Sequence, residues 1–217
     1  RIGTGTSADP YQVDIASDEM RFQLESCNGG PAPAYGVAFD DDLAWELDET
    51  DLTTYPPVVT ISDGVTTTTL DPAIDYSLTK PARDGVMEIA LGDTAPVDPG
   101  ECVTVDYTLG FHPDVPADSN WNNLASLAEY NSLPASAGRT YSPTETAQVY
   151  MTNLATVTPL SKSINPVPPN SEVTIGEVVT YEIVVPATPV NAALDNVAVT
   201  DTLHDALLYQ NDASAVF

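Results

Sequence analysis

The chain repeats itself. GVAFDDDL at 36–43 matches NVAVTDTL at 196–203, an offset of 160, and MRFQLE at 20–25 matches VTYEIV at 179–184, an offset of 159. Upstream, Val13-x-Ile15 parallels Val173-x-Ile175. Blocks recurring in the same order imply one structural unit used twice, so the fold must be one that can be strung along a chain. This spacing predicts a complete unit over 1–155, a Pro-rich linker with the first strand of the next repeat over 156–172, and the N-terminal part of a second, incomplete unit over 173–217. SKSINPVPPNSE at 161–172 holds three prolines, which stiffen the connection. Arg1 and Phe217 read as points inside a longer chain. An incomplete unit exposes a sheet edge, and it is expected to fray unless another chain completes it.

Each unit reads as strands. Nineteen prolines, twelve glycines and many threonines and valines leave little room for helix, and apolar residues alternate with polar ones. The expected strands are 11–16, 20–27, 35–45, 57–62, 65–70, 86–91, 101–111, 123–130 and 146–152. The best helical segment, Leu124–Tyr130, is read as strand as well. Asp63-Gly64 predicts a two-residue hairpin turn and Pro99-Gly100 another turn. Short strands separated by turn residues predict an all-β protein built of antiparallel β-sandwich domains in tandem.

Charge then limits the partners. With 32 Asp and Glu against 6 Lys and Arg, the net charge is −26, which excludes nucleic acid and disfavours anionic membrane surfaces. Disorder is excluded too, because 42% of residues are hydrophobic and spread along the whole chain. No apolar run is long enough to insert in a membrane. An Asp-rich, Lys-poor surface suits secretion into salty or calcium-bearing water. Cys27 and Cys102 each border an apolar run; a disulfide between them is expected to add roughly 4–5 kcal/mol and to require an oxidising compartment.

Several blocks carry a resemblance. Lys162-Ser-Ile-Asn-Pro166, Ile175-Gly176-Glu177 running into VVTYEIVV, NVAVTDTLHDAL, CNGGPAPAYGVAFDDDL, PGECVTVDYTLGFHPDVP and NNLASLAEYNSLP at 122–134 resemble the conserved-repeat domains of bacterial surface proteins. These are Ig-like sandwiches related to isopeptide-forming pilin and adhesin modules, in which a strand Lys joins an Asn or Asp beside a buried carboxylate. The resemblance implies an isopeptide candidate in the second repeat, with Lys162 as the amine and Glu182 or Asp201 as the carboxylate. It implies none in the first, where Lys80 sits in a loop-like segment and Arg1 stands in the matching N-terminal segment.

Three sites remain to be weighed. Strand alternation puts Asp41 on one face with Val37, Phe39, Leu43, Trp45 and Leu47, and Asp201 holds the same parity in the second copy. A carboxylate on an apolar face needs a partner, so both are expected to be structural and to cap a strand end. Asp40, Asp42 and Asp48 lie on the other face and offer oxygens to calcium, the one cofactor considered and none being required. Asp118, Asn120, Trp121 and Asn122, next to Asn123, form either a ligand patch that stacks a sugar on Trp121 or a turn in which Trp121 closes the sandwich end. Catalytic constellations are lacking: His112 and His204 fall in different units and no G-x-S-x-G occurs. The sequence therefore predicts a non-enzymatic stalk repeat of a secreted surface adhesin or filament protein, its partners the neighbouring repeats. Two alternatives stand beside it: an adhesin module for host or matrix glycan or protein, and a filament subunit completed by strand exchange between identical chains.

Overall fold

The computed structural model describes residues 2–117, 119–134, 138–153, 160–164, 172–190, 192, 194 and 197–210. Alternation builds its strands. In β8 (Cys102–Leu109), Val103, Val105, Tyr107 and Leu109 are buried while the residues between them are half-exposed. β2 (Met20–Cys27) pairs with β8 along its whole length, turning Met20 and Phe22 inward and leaving Arg21 outside, where it meets Asp106 at 2.8 Å. β4 (Val58–Ser62) and β5 (Thr67–Thr69) complete this sheet in the order β2-β8-β4-β5.

The second sheet runs β1-β11-β9-β3-β7-β6. Its strands are β1 (Tyr11–Val13), β3 (Tyr35–Asp42), β6 (Tyr76–Thr79), β7 (Val86–Leu91), β9 (Asn120–Asn131) and β11 (Thr146–Asn153), with β10 (Thr140–Tyr141) on β9. All pairs are antiparallel except β1 on β11, which run parallel in the register Tyr11 to Met151. The register of β3 against β9 shifts between Tyr35 and Phe39. Gly36 makes this irregularity possible: its φ is +55°, and a Cβ there would lie 3.0 Å from the Asn131 amide nitrogen. As a result Val37, Ala38 and Phe39 are all buried in succession. A further pair, β12 (Ser161–Ile164) and β13 (Tyr181–Val184), forms its own two-stranded sheet.

Turns are held by acidic side chains. Asp14 accepts from Ala16 N at 3.0 Å and Asp18 from Asp14 N at 2.9 Å, ending β1 at Val13 rather than at residue 16. DPAID at 71–75 repeats this arrangement at 2.8 and 2.9 Å. The Asp63-Gly64 connection is longer than the expected two residues. Ser62 pairs with Thr67, and Asp63 accepts from the amides of Val65 and Thr66, so four residues form the loop. One helical turn, α1 (Asp51–Thr54), was not expected; it places Leu52 in the core and the Asp51 carboxylate on Gly110 N at 2.7 Å.

Cys27 and Cys102 face each other in the β2–β8 register and are joined as a disulfide. The turn before β8 has Gly100 at φ +88°, Glu101 N on Asp98 O at 3.0 Å and Asp98 N on the Glu101 carboxylate at 2.9 Å. The same turn precedes β13: Gly176 at φ +90°, Glu177 N on Thr174 O at 3.0 Å, and Thr174 N on the Glu177 carboxylate at 2.9 Å. β13 therefore shares its entry turn with β8, while the sequence blocks align it with β2.

Ile89 is fully buried and Val65 is 93% exposed. Urea denaturation should show Ile89→Ala losing about 2–5 kcal/mol and Val65→Ala changing stability by less than about 0.5 kcal/mol. A double Cys27→Ser, Cys102→Ser variant should lose about 4 kcal/mol.

Candidate functional site

The most perturbed group lies between the sheets. β3 carries Asp41 inward, where it is fully buried. Tyr107 on β8, from the opposite sheet, donates its hydroxyl to Asp41 Oδ2. Asn123 on β9 donates its amide to Asp41 Oδ1 at 2.6 Å. Phe22 stacks on Tyr107 at 5.1 Å and seals that side. Burial raises the Asp41 pKa to about 6, against the lowering effect of the Tyr107 and Asn123 hydrogen bonds, and Asp42 raises it a little further. Burial and the neighbouring carboxylate likewise hold the Tyr107 phenol well above its usual range. Asn123 Oδ1 is buried and has no hydrogen-bond partner. A protonated Asp41, with the Asn123 amide turned over, would supply that donor.

Asp41 was expected to cap a strand end; its hydrogen-bond partners here are instead two side chains, one from each sheet. Asp201 is different. It is exposed and takes Lys162 Nζ on both oxygens, at 2.7 and 2.8 Å, with Lys162 lying 4.4 Å above the Tyr181 ring. Lys162 pairs across the ladder with Ile183, so alternation puts Glu182 on the other face of β13. Of the two expected carboxylates, Asp201 is the one seen bound to Lys162.

The remaining sequence candidates are placed as follows. Asp118 lies outside the described residues. Asn120 and Asn122 are exposed on β9, whereas Trp121 between them is buried and meets Phe111 edge-on at 5.9 Å. Trp121 therefore offers no open face to a sugar ring; the alternation of β9 turns it into the core. Asp40 and Asp42 belong to β3, but Asp48 lies beyond its end, and among the described residues these three acids do not gather round a common point. Trp45 is also displaced. The strand ends at Asp42, so parity fails beyond it, and Trp45 is exposed under Arg83 at 4.8 Å while Glu46 is buried in its place. Tyr107 was missed as a site residue, and Asn123 was read beside the Trp121 patch rather than as a partner of Asp41. Their signal was present: each is a polar group at an inward position of an alternating strand.

No known family profile and no curated protein matches this sequence. Solved structures do. The 35 kDa C-terminal fragment of the major pilin GBS80 of Streptococcus agalactiae shares 13% identity over 71% of this chain and 54% of its own, with a TM-score of 0.44. The full-length major pilin RrgB of Streptococcus pneumoniae shares 14% over 83% and 38%, with a TM-score of 0.42. A collagen-binding domain from a Staphylococcus aureus adhesin shares 9% over 62% and 88%, with a TM-score of 0.38. Bacterial pilin and adhesin domains are among the structural neighbours. AvmM, which catalyses macrocyclization in alchivemycin A biosynthesis, is also similar, at 17% identity over 67% and 84% and a TM-score of 0.33. The chain spans only about half of the GBS80 fragment and less of RrgB.

The Asp41 cluster makes stability depend on pH. Folding raises its pKa from 3.8 to about 6, so the protonated form favours the folded state. That contribution is complete below about pH 3.8 and is lost as the pH rises through 6, about 3 kcal/mol in all. Urea midpoints of the wild type should therefore fall between pH 4 and pH 7 more than those of Asp41→Asn, whose amide can bond Asn123 Oδ1 at either pH. Equal pH slopes for the two proteins would refute the assignment. Intact mass should show no loss of ammonia from the 1–155 region.

Proposed function

We propose that the chain is a structural repeat of a secreted bacterial surface protein, part of a pilus-like or adhesin stalk. The observation that carries this reading is how the sandwich is closed at its ends. β1 and β11 lie side by side and parallel, and the segment before β1 is tied to the same edge by Tyr150 N on Gly5 O at 2.9 Å and Gln12 N on Ile2 O at 2.9 Å. Tension on the two ends first peels residues 2–6. It then pulls β1 and β11 in opposite senses, loading their hydrogen bonds together in shear rather than one after another. The disulfide closes a second route, because it locks β2 to β8. β12 and β13 form a sheet of their own, separate from the two sheets of the sandwich, which suits modules in series.

A structural role also accounts for the polar interior. Asp41 is sealed between sheets, out of reach of any substrate, and its partners hold the two sheets together. This favours a non-enzymatic module placed outside the cell, where the disulfide persists.

A binding role has one observation in its favour, a groove of about 490 Å³ beside the disulfide, lined by Pro31, Pro33, Leu127, Tyr130 and Tyr141 among others. A glycan or matrix-protein array hit that Tyr130→Ala removes would make adhesion the primary role. Self-assembly is the third reading, favoured by the exposure of Val173, Ile175, Val178 and Val184 around β13; a strict monomer by light scattering excludes it.

Single-molecule stretching tests the mechanical reading. The oxidised protein should unfold in a discrete force peak, and reduction should lengthen the released chain by about 250 Å, the reach of the 75-residue span the disulfide closes. Extension without a discrete peak would sink it.

A further inference from the structure

Beyond β3 the chain meets the segment that follows β8. Leu47 and Phe111 form an isolated antiparallel bridge, with His112 N on Glu46 O at 2.9 Å and Asp48 N on Gly110 O at 3.1 Å. Both bridge residues are buried in the core. Alternation then places Glu46, Asp48 and His112 together on the opposite face of this short ribbon, with Glu46 directly across from His112. Glu49 joins them: its carboxylate lies 2.9 Å from His112 Nε2. One ligating atom from each of Asp48, Glu49 and His112 lies within 4.8 Å of the others, and all three residues are half-buried. Among the described residues this is the one such grouping.

Across the ribbon from His112, outside this grouping, lies a further buried acid. Glu46, only 4% exposed, has a carboxylate oxygen, Oε2, with no hydrogen-bond partner in the protein. A buried carboxylate oxygen without a donor marks a place where a cation or a proton is wanted. The nearby base cannot fully answer this. Arg83 turns its two terminal nitrogens to Asp114, at 2.7 and 2.9 Å, and its Nε to the Trp45 carbonyl at 2.9 Å.

We propose that Asp48, Glu49 and His112 form a binding site for a transition-metal dication, with Zn2+ as the ion to test. The imidazole decides the class. Calcium and magnesium take oxygen ligands, whereas a histidine nitrogen with two carboxylates suits zinc and its neighbours. Two carboxylates and a neutral imidazole balance a dication, and the −26 net charge of the chain concentrates cations around it. Zinc holds nitrogen and oxygen ligands at about 2.0–2.2 Å, so ligating atoms gathered within 4.8 Å need only a small closure. Asp48 is already oriented for it, since Thr50 donates its amide at 3.0 Å and its hydroxyl at 2.6 Å to Oδ1. A metal here would clamp the loop after β3 to the loop after β8, tying one sheet to the other at the end of the sandwich.

Isothermal titration of the 217-residue chain with Zn2+, in excess Ca2+ to occupy unspecific acidic sites, tests this. The expected result is one zinc per chain, with affinity at least about tenfold lower in His112→Ala and in the near-isosteric Glu49→Gln, and unchanged in His204→Ala. Both site variants are melted without metal first; Glu49→Gln carries the test if His112→Ala does not fold. No stoichiometric binding in excess Ca2+, or binding indifferent to the site variants, would overturn the proposal.

Discussion

Thirty-two carboxylates share six Lys and Arg, so most acids in this protein cannot be paired with a base. The fold answers by giving them N–H groups. Asp14, Asp18, Asp63, Asp71, Asp75, Glu101 and Glu177 each accept from a backbone amide within a turn. An Asp is well suited to this, since its short side chain reaches an amide two or three residues on, and Asp outnumbers Glu 21 to 11. Acidity that looks like a solvent-facing coat is therefore partly the means by which strands are ended. The few bases are placed where they join distant segments: Arg21 to Asp106 between strands, Arg83 to Asp114 between loops, Lys162 to Asp201 across 39 residues.

Asp41 is the exception that sets the interior. It has two neutral donors and no cation, so burial outweighs the hydrogen bonds and its pKa rises; a lysine in the place of Tyr107 would reverse the sign. The disulfide lies within one sheet, β2 to β8, and does not join the two. Between the strands of the two sheets, Tyr107 donates to the buried Asp41, which Asn123 braces. Because these hydrogen bonds span the two sheets, the association of the sheets is sensitive to the protonation of one group.

The sandwich was legible because strands such as VTVDYTL alternate without interruption, and the inward positions they define are the buried ones. What escaped was whatever the period does not encode. β6 and β10 are too short to show a pattern. Counting parity past Asp42 put Trp45 inside, because the end of a strand leaves no mark in alternation; the turn that follows buries Glu46 instead. The approach of His112 to Glu49 spans 63 residues and arises only when two loops are brought together by the core beneath them. Trp121 had two readings, a sugar-stacking patch or a turn that closes the sandwich end; the period of β9 turns the indole inward against Phe111, on a strand rather than in a turn.

Turn geometry adds a second register to the repeat. Matching the Gly100-Glu101 turn to the Gly176-Glu177 turn sets GECVTVDYTL against GEVVTYEIVV, an offset of 76 that stands beside the 159 of the sequence blocks. In that register Cys102 corresponds to Val178 and Tyr107 to Ile183, so the second strand keeps the turn and the alternation but neither the disulfide nor the phenol. Its polar anchor is the Lys162–Asp201 pair over Tyr181, an exposed pair of opposite charges where the first is a buried carboxylate held by neutral donors. Strand design and turn design are therefore reused along this chain, while the chemistry that fastens each sheet is not. The two kinds of fastening respond differently to the medium: salt screens the exposed ion pair, whereas pH acts on the buried carboxylate.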